Sequence, residues 1–291
     1  MYKNKHIFIA AAARFSDLLY LSLRNRKLEE EDAAHSLFGG YDRNKRVNNG
    51  NTNWNTQAMC VAKKPAEKLV AISIEGKVFT YAGGEKGLES ITPEPYEIRG
   101  LASIEGFAYA CGMDRQVFKR ISEGKWVPLH APDSSHIKET HGFEAIAGFS
   151  GKDLYAVGWR GEIWHYDGTI WRQIDSPSSE ILTTVVCADD GYVYIGGRNG
   201  VIIRGHGNEW SIINQDGYQG DFWGMQWFNN KLYVATMERI CVLKNNNIEP
   251  VEMGDDEPET CYHLTAAEGV MWSVGTDDIF SFDGKKWTRV E

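Results

Sequence analysis

Arginine recurs in short polar segments that separate apolar runs, where its guanidinium group could bind an anion. Five of these segments contain one, namely Arg14, Arg115, Arg160, Arg198 and Arg239. A guanidinium group forms bidentate hydrogen bonds with a carboxylate or a phosphate. If the segments converge on one axial opening, the arginines could hold a carboxylate, a phosphate or an acidic peptide. The alternative is that arginine simply tolerates exposed turns.

Acidic and aromatic residues occur in segments expected on the same side as these arginines. The candidates for contact with a partner are the five arginines together with Trp159, Tyr218, Trp223, Asp255, Asp256 and Glu257. Tryptophan, tyrosine and arginine contribute most of the binding energy in protein interfaces. A surface of mixed charge suits a protein partner better than a single small anion. The sequence therefore predicts a protein-binding surface.

No catalytic or cofactor-binding motif stands out. The eight histidines show no HxH, HExxH or HxxxH spacing, and the chain has no CxxC pair, GxSxG elbow, P-loop or EF-hand loop. We therefore predict no catalytic residue, no bound metal and no cofactor. A pair of carboxylates of the glycosidase type remains open as an alternative.

A repeat of about 39 residues organises these segments. Consecutive intervals of 39 residues separate Tyr155, Tyr194, Tyr233 and Trp272. The flanking letters agree, as in DLYAVGWRGEIWHYDGTIWRQI at 153–174 and GVMWSVGTDDIFSFDGKKWTRV at 269–290. A period near 40 with several short strands in each unit is typical of a β-propeller. The sequence predicts an all-β chain with one propeller of four-stranded antiparallel blades, seven in number, with six as the alternative.

The units can be placed along the chain by their spacing. Six complete units are expected to begin near residues 56, 95, 142, 181, 221 and 260. Residues 6–31 are expected to form three strands of a seventh, with Phe8 at the position of Tyr155. Loop insertions are predicted at 32–55 and 132–142 within a single domain, 1–291, although 32–55 could instead supply a fourth strand to the first blade. The tryptophans that follow the hairpin turns, Trp126, Trp171, Trp210 and Trp287, are expected to pack between blades.

The charge is unevenly distributed along the chain. The formal net charge is −9, and residues 245–291 contain 11 acidic against 3 basic residues. This distribution argues against nucleic acid, which needs clustered lysine and arginine, and it favours a basic protein partner.

Cysteine usage and the N-terminal segment bear on the location of the protein. The five cysteines are widely spaced and four lie in apolar patterns, which predicts reduced, buried thiols. The opening MYKNKHIFIAAAARF loosely resembles a signal peptide, but its apolar run of seven residues is short and matches the repeat. No stretch is long enough to span a bilayer. We predict a cytoplasmic protein that does not associate with membranes and is monomeric when free.

The repeat YAVGWRGEIWHYDGTIW resembles the units of BNR/Asp-box and photosystem II assembly-factor propellers. Those units share an aromatic-x-x-Gly strand, a glycine turn and an Asp-Gly hairpin that leads to tryptophan. The resemblance implies a propeller fold. The full Asp-box, Ser-x-Asp-x-Gly-x-Thr-Trp, is only approximated at 166–171 and 282–287, which argues against the sialidase activity of such families.

Two functions fit these observations. The first is a non-enzymatic binding protein, most concretely a bacterial immunity protein or inhibitor that neutralises a cognate, basic toxin domain. The second is a glycan-binding or glycan-cleaving propeller, in which axial arginines would hold a sugar carboxylate. The acidic C-terminal region and the absence of a catalytic motif favour the first.

Overall fold

The repeat folds as seven four-stranded antiparallel sheets, each built from four consecutive strands. The computed structural model describes residues 2, 4–132, 141–213, 218–254 and 256–291. The all-β propeller predicted from the sequence is confirmed with seven blades, and the alternative of six is wrong.

The strands follow the chain in order. Blades 1 to 4 contain β1 (His6–Phe15), β2 (Leu18–Asn25), β3 (Ser36–Asp42), β4 (Lys45–Thr52), β5 (Thr56–Ala62), β6 (Lys68–Ser73), β7 (Lys77–Ala82), β8 (Glu85–Ser90), β9 (Ile98–Ile104), β10 (Phe107–Gly112), β11 (Val117–Ser122), β12 (Lys125–Pro128), β13 (Phe143–Ser150), β14 (Asp153–Gly158), β15 (Ile163–Tyr166) and β16 (Trp171–Ile174). Blades 5 to 7 contain β17 (Leu182–Cys187), β18 (Val193–Gly197), β19 (Ile202–His206), β20 (Glu209–Ile212), β21 (Gly224–Phe228), β22 (Lys231–Ala235), β23 (Ile240–Lys244), β24 (Asn247–Pro250), β25 (His263–Ala267), β26 (Val270–Val274), β27 (Ile279–Phe282) and β28 (Trp287–Arg289). One short helix, α1 (Arg26–Glu30), joins β2 to β3, and single 3-10 turns occupy Trp159–Gly161 and Arg198–Gly200.

The first strand of each blade lies nearest the ring axis. It packs against the first strand of the next blade, and β25 packs against β1, so that the ring closes. These strands surround a channel of about 710 Å³, lined largely by small and apolar side chains such as Ala12, Ala102 and Ala147. The second strand of each blade is buried over nearly its whole length, because neighbouring blades cover both of its faces.

Apolar clusters fill the spaces between neighbouring blades. The seven clusters each combine residues of two adjacent blades. The predicted role of the tryptophans is confirmed: Trp126, Trp171 and Trp287 are buried in three clusters, and Trp210 packs against a fourth.

Blade 1 differs from the expectation. Segment 32–55, predicted as a loop insertion, contains β3 and β4 and so supplies two strands of the blade. Phe8 lies on the first strand, and Tyr20 is the third residue of the second strand, as Tyr155 is in blade 4. The reason is that α1 lengthens the connection between β2 and β3, which shifts the spacing of the repeat at this point. Of the other predicted insertion, 132–142, residues 133–140 lie outside the described part of the chain.

The ring closes without an exchanged strand. Blade 1 uses only β1–β4 and blade 7 only β25–β28, so side chains and single hydrogen bonds join them. Phe8 packs with Trp272, and its backbone N–H donates to the carbonyl of Thr276 at 2.9 Å. Arg46 donates to the carboxylate of Glu291 at 2.9 Å, and that carboxylate is fully buried.

A buried ion pair joins blades 2 and 3. Arg120 on β11 donates to both carboxylate oxygens of Glu89 on β8, at 3.0 Å from Nε and 2.6 Å from Nη2. The two side chains are only 1% and 2% exposed. The bidentate pair gives each buried charge a partner of opposite sign. It also fixes the position of blade 2 relative to blade 3.

Replacement of Arg120 by alanine leaves the buried Glu89 carboxyl group without its partner. We expect the free energy of unfolding in urea to fall by about 3–5 kcal/mol. Lys244→Ala is the matched control, since it breaks a 2.8 Å pair with Glu249 in which both side chains are half exposed, and it should cost less than about 1 kcal/mol. Equal losses in the two variants would contradict a structural role for the Arg120–Glu89 pair.

Candidate partner-binding face

The connections between strands emerge on two opposite faces of the ring. In an antiparallel blade, the connections after the first and third strands lie on one side, here called the lower face. Those after the second and fourth strands lie on the other side, here called the upper face. Arg14 stands at the end of the first strand β1 and therefore lies at the lower face. Its predicted place beside the other arginines is wrong, because β1 is the first strand of its blade rather than the second.

Arg14 and Arg115 are both engaged within the ring. Arg14 Nε lies 2.8 Å from Glu67 and its Nη1 lies 3.1 Å from the hydroxyl of Tyr20. Arg115 is on the upper face but only 5% exposed. It holds both carboxylate oxygens of Glu162 in the next blade, at 2.8 and 2.5 Å. Arg115 therefore joins blades 3 and 4, and the prediction that it is displayed to a partner does not fit its burial.

Of the five predicted arginines, Arg14 alone lines the central channel, at its lower end. Within the described part of the chain, none of Arg115, Arg160, Arg198 and Arg239 lines the central channel. The physical reason is that they follow second strands, which lie outside the axial first strands. The arginine near the upper end of a first strand is Arg99 on β9, which pairs with Glu97 at 2.7 Å. Arg99 was not predicted as a site residue, although its position near the start of a first strand could have indicated it.

Two tight turns carry Arg160 and Arg198 on the upper face. They are the 3-10 turns Trp159–Gly161 and Arg198–Gly200, and Gly161 and Gly200 have φ of 70° and 73°. A Cβ atom on Gly161 would lie 1.9 Å from the carbonyl oxygen of Ser178, and one on Gly200 would lie 2.1 Å from that of Tyr218. Only glycine lets the next connection pack directly onto each turn.

Hydrogen bonds link these turns to the connections that follow them. The side chain of Asn199 donates to Glu180 at 2.9 Å, and its backbone N–H donates to Asp221 at 3.1 Å. Arg198 Nε lies 4.0 Å from the same Asp221 carboxylate. The result is a continuous band of loops over blades 4 to 7, here called the loop arc, which comprises residues 159–161, 178–180, 198–200, 218–223, 236–239 and 256–259.

An open pocket lies in the loop arc. Its volume is about 480 Å³, and its lining residues are Tyr218, Gly220, Asp221, Trp223, Thr236, Met237, Glu238 and Arg239. Two large apolar side chains are displayed there, since Trp223 is 41% and Met237 50% exposed. Exposed apolar side chains beside charged ones are typical of interaction sites.

The Tyr218 wall of the pocket is fixed by its neighbours. Its ring stacks on Phe222 with centroids 5.2 Å apart. The ring also covers Gly220, where a Cβ atom would lie 2.4 Å from the tyrosine hydroxyl oxygen. Burial raises the pKa of Tyr218, so its hydroxyl stays protonated at neutral pH. The ring is therefore held in place before any partner binds.

A smaller cavity of about 120 Å³ adjoins this pocket, and Glu238, Arg239 and Glu257 line it. Nearby, Arg289 donates to Asp256 at 2.7 Å and also binds Asp278. Among the residues that the structure describes, Glu238, Glu257 and Arg239 have no ion pair. The predicted residue Asp255 lies outside the described residues.

The structure brings most of the predicted contact residues together. Arg198, Tyr218, Trp223, Arg239, Asp256 and Glu257 lie in the part of the loop arc over blades 5 to 7. Trp159 and Arg160 lie further along the arc, and the indole N–H of Trp159 is occupied by Glu144 at 2.5 Å. Met237 and Glu238 were not predicted, although they share the turn of Arg239 and could have been found from it.

The cysteine thiols are unpaired and mostly buried. All five cysteines are free, and burial raises the pKa of Cys60 and Cys261 to about 12 and that of Cys241 to about 11. Such thiols are protonated and unreactive at neutral pH. The described residues contain no group of three His, Cys, Asp or Glu side chains placed to hold a metal ion. No helix within them is long and apolar enough to cross a membrane.

Solved propellers share this fold at low sequence identity. The WD40 propeller domain of Doa1 matches with a TM-score of 0.72 at 10% identity, over 95% of this chain and 92% of its own. The propeller domain of Cps50 (Swd1) from Myceliophteria thermophila matches with a TM-score of 0.67 at 14% identity, over 95% and 98% of the two chains. These matches support the propeller fold alone. No family model matches the chain, so the resemblance to BNR/Asp-box units stays a prediction.

A curated relative matches in sequence over nearly the whole chain. The immune protein Tsi7 of Pseudomonas aeruginosa is 38% identical over an alignment 295 residues long, which covers 97% of this chain and 96% of Tsi7. Its name agrees with the prediction of an immunity protein that is not an enzyme. This chain belongs to the family of the immune protein Tsi7.

Proposed function

We propose that this immunity protein neutralises a toxin domain by binding it through the loop arc. The observation that carries the proposal is the pocket in which the exposed Trp223 and Met237 stand beside unpaired charges. Buried tryptophan and arginine anchors surrounded by polar groups account for most of the affinity in protein interfaces. Binding by the arc covers the toxin without any chemical step, as expected of an inhibitor.

The rigidity of the arc favours tight binding. Its loops are fixed by glycine contacts, by hydrogen bonds from Asn199 and by the stacked ring of Tyr218. A surface that is already ordered loses less conformational entropy on association. The ring beneath it is held by seven interblade clusters, so the loops rest on a stable base.

The charge of the arc supports a basic partner. Glu238, Glu257 and Glu259 are exposed and have no ion partner within the described ranges, against the single unpaired Arg239 in the pocket. Unpaired surface carboxylates attract a basic protein and speed its association. We further propose that the protein is a monomer and that it acts in the cytoplasm. The five free cysteines support this location. The four upper-face arginines do not gather at the axial opening. The reason for proposing that they hold a sugar carboxylate there is therefore removed.

Trp223→Ala is expected to weaken binding of the toxin encoded in the same gene neighbourhood by at least about 30-fold, as loss of an interface anchor does. Tyr192→Ala is the matched control, because Tyr192 is 44% exposed, much like Trp223, but lies on the lower face. Calorimetry measures the affinities, and survival of cells that express the toxin measures protection. Wild-type affinity in Trp223→Ala together with a loss in Tyr192→Ala would move the site to the lower face.

Arg115→Ala tests whether Arg115 stabilises the fold or contacts the toxin. Since the variant leaves Glu162 buried and unpaired, we expect a loss of about 3–5 kcal/mol in the free energy of unfolding. At a temperature where the variant is still folded, its toxin affinity should stay within about 3-fold of wild type, a difference below 1 kcal/mol. A large loss of affinity without a loss of stability would show that Arg115 contacts the toxin directly.

A further inference from the structure

We propose that the pocket around Trp223 receives an arginine side chain of the toxin. This inference rests on the proposed function and adds the chemistry of the anchor. The pocket has an aromatic and thioether wall from Tyr218, Trp223 and Met237, and a rim that carries carboxylates. A long aliphatic stem with a flat cationic end fits both features.

The aromatic wall favours a cation. A guanidinium group is attracted to the face of an aromatic ring, most strongly to that of tryptophan. Trp223 is 41% exposed and its ring contacts Tyr262 edge-on, with centroids 6.2 Å apart. No cation–π contact of this chain occupies Trp223 among the described residues. Its exposed surface is therefore open to a cation from outside.

The charges at the rim favour the same occupant. Asp221 and Glu238 line the pocket, and Glu257 lies with Glu238 in the adjoining cavity. Asp221 is shared with Arg198 at 4.0 Å, but Glu238 and Glu257 have no ion pair in the part of the chain that the structure describes. Against these three carboxylates the pocket lining contributes one cation, Arg239. The balance is negative, so a cationic side chain gains more here than an anionic one.

Arginine fits better than lysine. Its planar group can stack on the indole while it forms bidentate hydrogen bonds with a carboxylate at the rim, whereas the lysine ammonium group is a compact and strongly hydrated point charge. The competing arrangement is a carboxylate of the toxin bound by Arg239. The two arrangements predict opposite preferences for small probes.

The test uses the full chain labelled with 5-fluorotryptophan, in which Trp223→Phe assigns the fluorine resonance of Trp223. The probes are the amides of Nα-acetyl-arginine, Nα-acetyl-citrulline and Nα-acetyl-glutamate; citrulline has nearly the shape of arginine but no charge. We expect the arginine probe to shift the Trp223 resonance with an affinity at least about 5-fold above that of the citrulline probe, as loss of a cation–π contact and an ion pair implies.

Glu238→Gln should reduce this preference for the arginine probe over the citrulline probe. Glu123→Gln is the matched control, since Glu123 is an exposed acid at the lower face, and it should leave the preference unchanged.

The inference fails if the glutamate probe shifts the Trp223 resonance more than the arginine probe, or if no probe shifts it. Comparison with the toxin separates this failure from failure of the proposed function. If Trp223→Ala abolishes toxin binding while the arginine probe shows no preference, the loop arc binds the toxin but through another kind of side chain. If the arginine probe binds selectively and Trp223→Ala leaves toxin binding unchanged, the toxin does not use this pocket. In that case both the proposed toxin-binding site and the proposed arginine anchor are wrong.

Discussion

Burial of the second strand between neighbouring blades is the constraint on which the rest of this structure depends. Val70, Tyr109 and Tyr155 lie on such strands and are almost fully buried. A single four-stranded sheet cannot cover both of its faces, so each blade needs two neighbours and the ring must close. Here blade 7 meets blade 1 through side chains, with Phe8 against Trp272 and the buried Glu291 bound to Arg46.

The closed ring also decides which loops can act together. Alternate connections emerge on opposite faces, which separates Arg14 from Arg198 and Arg239 although all three follow similar apolar runs. On the upper face, the connections at Ser178 and Tyr218 rest on the turns of the preceding blades, and Gly161 and Gly200 make these contacts possible. The loop arc is therefore a consequence of blade-to-blade packing, and its pocket inherits the rigidity of the ring.

Much of the fold could be predicted from the sequence, because the interval from Tyr155 to Tyr194 repeats and each interval has to build the same buried strand. Blade 1 was misplaced because α1 adds residues where the other blades have a short turn. Single side chains were harder. In the sequence, Arg115 resembles the other arginines in turns. Its burial depends on the ion pair with Glu162, which is 47 residues away. The spacing of a repeat carries no information about such a partner, nor about the exposure that distinguishes Trp223 from the buried tryptophans.

We propose that this immunity protein covers its toxin with the upper face of blades 5 to 7. Exposed Trp223 and Met237 beside unpaired carboxylates support that placement. Hydrogen–deuterium exchange of the complex, compared with the free protein, tests it most directly. We expect the toxin to slow amide exchange in residues 218–223 and 236–239 and to leave the lower-face turns unchanged. Protection confined to the lower-face turns, such as those at 151–152 and 188–192, would contradict it.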